Sequence, residues 1–331
     1  MKALVTGGGG FLGGAIVRLL VDRGWMVRSL QRRHSAALEA LGVEQQLADL
    51  ADASAVDAAV AGCDVVFHAA ARAVLWGPRQ EFHATNVVGT HNVLGACRRV
   101  GVGRLVYTST PAVVHGGRHL AGIDESAPYA RRFESHYPAT KCSAEQAVLA
   151  ADGPELATVA LRPHLIWGPG DPQLVARIVA RARAGRLWLV GDGRNLVDTT
   201  YVDNAALAHV LAGDRLRPGA ACAGKAYFIT NGEPRPLRDI LGSILAAAGL
   251  PPVRRRIPYA LALPVAAAVE TAYRLLRLDG EPPLTRMLVR HLVTAHWYDI
   301  SAARRELGYG PTVSLDEGFR RLRDAFQSAA P

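Results

Sequence analysis

The sequence predicts an α/β protein, with a doubly wound parallel sheet and a smaller, interleaved C-terminal lobe. Short apolar runs alternate with helical patterns as far as Pro163, as in parallel sheets whose strands are joined by crossover helices. After Pro163, paired glycines and prolines punctuate helix-like segments. We therefore expect a sheet domain over residues 1–166, a second lobe over residues 167–331, and late pieces of the sheet from about residues 195–230.

Six short apolar runs predict the strands of this sheet. Helical patterns separate them, over roughly residues 52–60, 80–99 and 137–151, and the segment after the first run has an apolar stripe at helical spacing. This order predicts one sheet whose ligand binds at the carboxyl ends of the strands. The predicted strands are Lys2–Thr6, Met26–Leu30, Val43–Leu47, Asp64–His68, Leu105–Thr108 and Thr158–Leu161.

A glycine cluster joins the first predicted strand to the first predicted helix. Glycine lets the backbone turn tightly and approach a pyrophosphate, whose charge is met by amides at the helix N-terminus. The alternative is a glycine-rich turn that binds no ligand. We predict a dinucleotide site of the Rossmann type, formed by Gly7, Gly10, Phe11, Leu12 and Gly13.

The end of the second strand decides which dinucleotide binds. A carboxylate there would accept hydrogen bonds from the ribose hydroxyls of NAD, but this chain has Gln31 followed by Arg32 and Arg33. Guanidinium groups attract a 2′-phosphate. We therefore predict NADPH/NADP as the cofactor, with Gln31 and Arg32 beside it; two solvated surface arginines are the alternative.

Other strand ends supply residues for the walls of the same site. Asp49 and Leu50 follow the third strand, where a carboxylate can accept from the adenine amino group, although Asp49 is equally suited to cap a helix. Small residues after the fourth strand permit close approach of a cofactor, and a proline ends the sixth. We assign His68, Ala69, Ala70 and Pro163 to the cofactor wall.

Tyr137 is followed four residues later by Lys141, in a chain whose other lysines are Lys2 and Lys225. Positions i and i+4 of a helix lie on one face, so the phenol and the ammonium should project into one pocket. We expect Lys141 to lower the pKa of Tyr137 from about 10 towards the range of an acid/base catalyst. A helix pair without a chemical role is the alternative.

Hydroxyl side chains end the fifth strand at Thr108, Ser109 and Thr110. A hydroxyl there would donate to a carbonyl oxygen and steady the charge that develops during hydride transfer, although strand-end hydroxyls often satisfy backbone groups instead. Asn86 lies in a helical stretch, where its amide would order a carbonyl or a water near Lys141 or serve the structure alone.

The composition argues against several classes of function. The net charge of +9 comes from scattered arginines without a recognition motif, so we expect no nucleic-acid partner. The four cysteines lie far apart, which indicates reduced thiols in a cytoplasmic protein. Without a metal-ligand spacing, a G-x-S-x-G elbow or a Walker motif, we expect no metal.

The sequence predicts no transmembrane segment, since no apolar stretch reaches the roughly 18 residues of a spanning helix. The helical stretch from Ala260 to Leu278 has an apolar face and carries Arg274 and Arg277. It suits a lid over an apolar substrate, a peripheral membrane contact or a packed helix, and the three alternatives stay open.

Together these motifs resemble the extended short-chain dehydrogenase/reductases over nearly the whole chain. A resemblance to the 3β-hydroxysteroid dehydrogenase branch rests on Asn86–Val93, Tyr107–Thr110, Asp198–Asn204, Trp297–Ile300 and Leu307–Tyr309. A further likeness, to bacterial 2-alkyl-3-oxoalkanoate reductases, rests on Leu161–Asp171, Gly191–Asp198 and Pro283–Arg286.

The resemblance implies NADPH-dependent reduction of the 3-keto group of a long-chain 2-alkyl-3-oxo acid in long-chain olefin biosynthesis. It implies Tyr137 as the general acid and Lys141 as the residue that lowers its pKa and holds the nicotinamide ribose. Thr110 takes the position of the catalytic serine, with Ser109 as its rival. Other enzymes of the olefin pathway and a second copy of the chain, in a homodimer, are the partners considered. A steroid or sterol 3β-hydroxy dehydrogenase and a non-catalytic NADP-sensing module are the alternatives.

Overall fold

A computed structural model describes residues 1–74, 76–276, 278 and 280–328 of the chain. Strands and helices alternate as far as Pro163, as the apolar pattern predicts. Within the described residues the strands are β1 (Lys2–Thr6), β2 (Met26–Gln31), β3 (Glu44–Leu47), β4 (Val65–His68), β5 (Arg104–Thr108), β6 (Leu120–Ile123), β7 (Ala157–Pro163), β8 (Ile166–Trp167), β9 (Leu189–Val190), β10 (Leu196–Val197), β11 (Thr200–Tyr201), β12 (Lys225–Ile229), β13 (Arg235–Pro236), β14 (Arg256–Ile257) and β15 (His296–Tyr298).

The helices of the same residues include two π-helical segments, His83–Val88 and Ala303–Leu307, and one 3₁₀ turn, Pro111–Val113. The α-helices are α1 (Phe11–Asp22), α2 (Ala36–Glu39), α3 (Ala53–Val60), α4 (Arg79–Phe82), α5 (Gly89–Val100), α6 (His136–Ala150), α7 (Leu174–Arg183), α8 (Val202–Arg215), α9 (Leu237–Ala247), α10 (Tyr259–Leu275), α11 (Arg286–Val293) and α12 (Leu315–Ser328).

The main sheet has seven parallel strands in the order β12-β7-β5-β4-β1-β2-β3. Six of them are the predicted strands, and the prediction of a doubly wound parallel sheet is confirmed. The seventh, β12, comes from the late region and pairs with β7. Because β1 lies between β4 and β2, the direction of winding reverses there, and the strand ends open into a crevice.

Helices cover both faces of this sheet, so its strands alternate between two cores. Leu4, Val66 and Leu105 belong to the core that contains residues of α3, α5 and α6. Val5 and Phe67 belong to the core on the α1 and α8 side. Burial on both faces explains why these strands read as continuous apolar runs.

A second, four-stranded sheet lies in the order β13-β10-β15-β6. Its strand β6 comes from the first 166 residues, whereas β12 of the main sheet comes from the second half. The chain therefore crosses between the two sheets more than once. The division into a domain of residues 1–166 and a lobe of residues 167–331 stays a prediction.

Two predicted helices differ from the sequence pattern. The stretch predicted as one helix over residues 80–99 consists of α4, the π-helical segment and α5; the wider turn directs Asn86 towards the backbone after β4. The stretch from Ala260 to Leu278 forms α10, which ends at Leu275. Arg277 lies outside the described residues.

Candidate active site

A cavity of about 1490 Å³ crosses the carboxyl ends of the main sheet. Its wall contains every residue predicted for the site except His68, so the structure brings residues far apart in sequence to one surface. Their chemical roles stay predictions. The lining residues are Gly7, Gly10, Phe11, Leu12, Gly13, Gln31, Arg32, Asp49, Leu50, Ala69, Ala70, Ser109, Thr110, Tyr137, Lys141 and Pro163.

The glycine loop fits a dinucleotide pyrophosphate. Gly10 is the N-cap of α1, and no side chain bonds to the first amides of the helix. Gly7 has a φ of +71°, and a side chain there would meet the Cα of Ala70 at 3.0 Å. A side chain on Gly13 would overlap the carbonyl of Gly7. Gly7 is therefore packed against the segment that follows β4, and the Gly10 cap gives the first amides of α1 no side-chain hydrogen bond.

Gln31 braces this loop from the end of β2. The Gly9 amide donates to Gln31 Oε1 at 2.7 Å, and Gln31 Nε2 donates to Gln45 Oε1 at 2.9 Å. Arg32 and Arg33 are exposed on the cavity wall, and neither is paired with a carboxylate within the described part of the chain. The side chains at the end of β2 are thus neutral or positive.

His68 does not form part of the cavity wall. Its ring is buried below the wall, with Nδ1 2.7 Å from Thr6 Oγ1 and Nε2 3.0 Å from Thr90 Oγ1. Burial lowers its pKa to about 3, so the ring is neutral. The assignment of His68 to the cofactor wall is corrected, because both ring nitrogens serve the core.

Asp49 lines the cavity and does not cap a helix. Its Oδ1 accepts from the Ala51 amide at 2.9 Å in the turn after β3. The cap of α3 is Asp52, whose side chain accepts from the Ser54 and Ala55 amides. The capping alternative for Asp49 is therefore wrong, and its position beside adenine stays a prediction.

Lys141 is buried near the start of α6, with 2% of its surface exposed. Its ammonium donates to the Thr108 carbonyl at 2.6 Å and lies 4.0 Å from the centre of the Tyr107 ring. Burial lowers the pKa of Lys141 to about 7, against the opposing effect of Glu145.

The predicted effect of Lys141 on the phenol is corrected by the structure. Burial raises the pKa of Tyr137 to about 12, and the opposing influence comes from the side chain of Thr110, not from Lys141. The ammonium of Lys141 is directed at the end of β5 instead. Tyr137 is therefore protonated at neutral pH, which suits a proton donor.

Ser109 and Thr110 meet different surroundings at the end of β5. Thr110 Oγ1 accepts from the Ala112 amide at 3.2 Å and interacts with the Tyr137 phenol. Ser109 Oγ is buried without a hydrogen-bond partner among the described residues. The structure thus brings Thr110 to the tyrosine.

Asn86 supports the site from behind. Its Oδ1 accepts from the Arg72 amide at 2.8 Å, and its Nδ2 donates to Thr140 Oγ1 at 3.0 Å, next to Lys141. These bonds tie the π-helical segment to α6 and to the backbone after β4. Asn86 Nδ2 also lies 3.4 Å from the Arg72 carbonyl, so its contacts fit both a structural role and the ordering of a backbone carbonyl.

A buried ion pair that was not predicted from the sequence lies one turn beyond Lys141. Glu145 accepts two hydrogen bonds from Arg162, at 3.0 and 2.6 Å, and one from Tyr129 at 2.8 Å. The two charged side chains are 0% and 4% exposed. The sequence could have indicated that Glu145 lies near Lys141, because Tyr137, Lys141 and Glu145 follow one another at intervals of four on one helix face.

The rest of the cavity is mostly apolar and extends away from the glycine loop. Four histidines that no sequence spacing brings together also lie in the cavity wall: His115, His164, His291 and His296. No helix among the described residues is long and apolar enough to cross a membrane. The apolar lining includes Leu187, Trp188, Leu189, Ile240, Leu241, Ile244, Leu284, Met287, Leu288 and Leu292.

Comparison with known proteins places these features in a family. The profile of the 3-beta hydroxysteroid dehydrogenase/isomerase family matches residues 4–259. The chain is 57% identical over 326 residues to the 2-alkyl-3-oxoalkanoate reductase of Stenotrophomonas maltophilia, covering 98% of each chain. It is 48% identical to the 2-alkyl-3-oxoalkanoate reductase of Shewanella oneidensis, covering 97% of this chain and 85% of the relative.

A solved structure shares the fold over its whole length. The UDP-glucose 4-epimerase of Thermus thermophilus, in complex with NAD, superposes with a TM-score of 0.76 at 27% identity, covering 100% of both chains.

Proposed function

Because the chain belongs to the 3-beta hydroxysteroid dehydrogenase/isomerase family, we propose that it reduces the 3-keto group of long-chain 2-alkyl-3-oxoalkanoic acids with NADPH. Family membership makes it an oxidoreductase with a nicotinamide cofactor, and the names of two relatives indicate the substrate. The observation that carries the proposal is that Tyr137, Thr110, the glycine loop and the apolar residues of the later range all line one cavity.

In the proposed reaction the chain supplies the proton and the positioning. When bound, a reduced nicotinamide would supply the hydride for the carbonyl carbon. Tyr137 donates its phenolic proton to the carbonyl oxygen, and Thr110 donates a hydrogen bond to the same oxygen. The product is a 2-alkyl-3-hydroxyalkanoic acid, and the tyrosine regains its proton from solvent.

Lys141 contributes by position and charge. Its bond to the Thr108 carbonyl holds the ammonium at the end of β5, where we propose that it contacts the cofactor ribose. Glu145 helps to keep it charged despite burial. There its charge would serve the ribose, because the ammonium does not act on the pKa of the Tyr137 phenol.

The preference for NADPH rests on the end of β2. Gln31 offers no charge to repel a 2′-phosphate, and Arg32 and Arg33 are exposed on the wall without acidic partners among the described residues. We expect NADPH to bind more tightly than NADH, because each guanidinium–phosphate contact adds a charge-assisted hydrogen bond.

Fluorescence titration of both cofactors tests this preference. Replacing Arg32 and Arg33 together by alanine should weaken NADPH binding by about 10- to 100-fold, with little effect on NADH. Arg217→Ala removes an exposed arginine outside the cavity wall and serves as the control. Tighter NADH binding by the unaltered protein would disprove the preference.

The proposed reaction is tested by NADPH oxidation with a panel of 3-oxo compounds. We expect turnover with a 2-alkyl-3-oxo acid and a loss of about 100- to 10,000-fold in kcat for Tyr137→Phe, with NADPH binding retained. Turnover of 3-keto steroids but not of 2-alkyl-3-oxo acids would favour the steroid alternative. Cofactor binding without turnover of any of these compounds would favour the sensing module.

Further parts of the proposal concern the setting of the enzyme. The place in long-chain olefin biosynthesis, contacts with enzymes of that pathway, a homodimer and a cytoplasmic location stay predictions from the sequence. We also propose that residues 1–166 bind the cofactor and residues 167–331 bind the substrate tails, since the apolar lining comes mainly from the later range.

A further inference from the structure

Four histidines from different parts of the chain meet in the cavity wall. They follow the 3₁₀ turn after β5 (His115), follow β7 (His164), lie in α11 (His291) and begin β15 (His296). The His164 and His296 ring centres are 4.8 Å apart, and those of His291 and His296 are 4.0 Å apart. We call this group the histidine cluster.

Hydrogen bonds fix the tautomers of two of these rings. His296 Nε2 lies 3.0 Å from the His291 carbonyl, which can only accept, so this nitrogen carries the hydrogen. His296 Nδ1 must then accept from His164 Nε2, 2.8 Å away. When both rings are neutral, His164 Nδ1 keeps a bare lone pair, and neither ring nitrogen of His291 has a partner among the described residues.

Among the described residues, no carboxylate affects the pKa values of the histidine cluster. Burial lowers the pKa of all four rings. Neighbouring histidines lower the pKa values of His164, His291 and His296 further, and Arg118 lowers that of His115. The pKa of His296 is about 4.

The carboxylates in the same wall are occupied elsewhere. Glu134 pairs with Arg290 of α11, and Asp171 accepts from the Gln173 and Val175 amides. Asp49 bonds to the Ala51 amide. Among the described residues of the wall, the histidine cluster is therefore a set of polar groups without an anion.

A metal ion is the obvious alternative occupant. His164, His291 and His296 each offer a nitrogen within 4.8 Å of the others. However, the His291 and His296 rings are stacked, with 18° between their planes. The lone pairs of two stacked rings run side by side within the ring planes and do not converge on one ion, as tetrahedral coordination requires.

We propose that the histidine cluster binds the carboxylate of the substrate acid. This inference rests on the proposed function, and it names the part of the site that recognises the carboxylate of the 3-oxo acid. In a 3-oxo acid one carbon separates the carboxyl carbon from the ketone carbon, so the acid must lie close to the reacting carbonyl. His164 directly follows Pro163 in sequence, and both residues line the same cavity as Tyr137.

The charge of the histidine cluster can follow the ligand. A carboxylate beside His164 or His291 favours the protonated ring, which then donates a charge-assisted hydrogen bond from a nitrogen that is free in the unbound protein. A methyl ester has no charge to offer in return. The histidine cluster should therefore bind the acid more tightly than its ester, while the apolar lining of the cavity should bind the alkyl chains of both equally well.

The test compares kcat/KM for a 2-alkyl-3-oxo acid and for its methyl ester, with NADPH. The unaltered enzyme should prefer the acid, and His291→Leu should reduce the acid-to-ester ratio by about 10- to 100-fold. His291→Gln keeps an N–H donor and should restore part of the ratio. His91→Leu, on the exposed face of α5, should leave the ratio unchanged.

Two results would overturn the inference. The first is an acid-to-ester ratio that is the same in His291→Leu as in the unaltered enzyme; an equal loss on both substrates would be such a result and would indicate a structural histidine. The second is activity that disappears on chelation and returns with zinc, which would make the histidine cluster a metal site.

A binding experiment separates this inference from the proposed reaction. Calorimetry on the NADP-loaded protein compares 2-hexyldecanoic acid with its methyl ester, neither of which can be reduced. We expect tighter binding of the acid, with loss of this difference in His291→Leu. If the enzyme reduced no 3-oxo compound, the proposed function would fail, and this binding difference would still decide the inference.

Discussion

Replacing Lys141 by methionine should stabilise the folded protein, and by an amount that depends on pH. The buried ammonium has a pKa of about 7 instead of the ordinary 10.5. Since each pH unit of this difference is worth about 1.4 kcal/mol, keeping the lysine charged in the folded state costs about 5 kcal/mol. Methionine has a similar shape and no charge. The substitution removes the hydrogen bond from Lys141 to the Thr108 carbonyl, which costs about 1 kcal/mol at every pH.

The direction of the pH effect follows from proton binding. Below pH 7 the lysine is charged in both the folded and the unfolded chain, so the full cost is present. Between about pH 7 and 10.5 the unfolded chain binds more protons than the folded one, and stability rises with pH. The advantage of Lys141→Met should therefore shrink by about 3 kcal/mol between pH 6 and pH 9.

Urea unfolding followed by tryptophan fluorescence measures this difference at several pH values. Lys225→Met is the control, because Lys225 is half exposed and paired with Glu306, and it should change stability by less than about 1 kcal/mol. A free-energy difference for Lys141→Met that is the same at pH 6 and pH 9 would refute the reasoning. Because the chain has three lysines, ¹³C labelling of lysine would also report the titration near pH 7 directly.

Two other predictions concern the same region. Glu145→Gln leaves Arg162 buried without its counter-charge and should destabilise the protein by about 3–5 kcal/mol in urea unfolding, whereas Asp57→Asn, at an exposed ion pair, should cost less than about 1 kcal/mol. Equal effects of the two changes would contradict the importance of burial. Thr110→Val should lower kcat by about 100- to 1,000-fold, since it removes a donor to the developing alkoxide, while Ser109→Ala should change kcat little. The reverse order in steady-state assays would assign the catalytic hydroxyl to Ser109.

The sheet and the glycine loop were predictable because local signals dominate there. Strands buried on both faces must be apolar throughout, and the loop needs glycine wherever the backbone approaches β4. Tyr137 and Lys141 were predictable for the same reason, since one helical turn separates them. The strand β12 lies within residues 195–230, which were expected to supply late pieces of the sheet, but its bounds were not predicted because its five residues lie among the turns of the later region.

Electrostatics and long-range contacts were not predictable in this way. The phenol and ammonium share a helix face, but whether the ammonium approaches the phenol or the Thr108 carbonyl depends on the position of β5. No sequence spacing connects His115, His164, His291 and His296. Their proximity depends on how α11 and β15 are placed beside the residue that follows β7. The capping choice between Asp49 and Asp52 depends on where α3 begins.

The pKa values of the site favour ketone reduction in a specific way. Oxidation of an alcohol needs a phenolate that can accept a proton, whereas reduction needs a phenol that can donate one. Burial raises the pKa of Tyr137 to about 12, so the protonated donor form predominates at neutral pH. Because an alkoxide is a stronger base than a phenolate, proton transfer from the phenol to the alkoxide is favourable. Lys141 is directed at the Thr108 carbonyl, where we propose that its charge serves the cofactor ribose and not the phenol. Glu145, held by Arg162, helps to keep that ammonium charged against the cost of burial. The three residues at intervals of four along α6 therefore contribute differently: Glu145 sustains the charge of Lys141, and the protonated form of Tyr137 suits the proposed proton transfer.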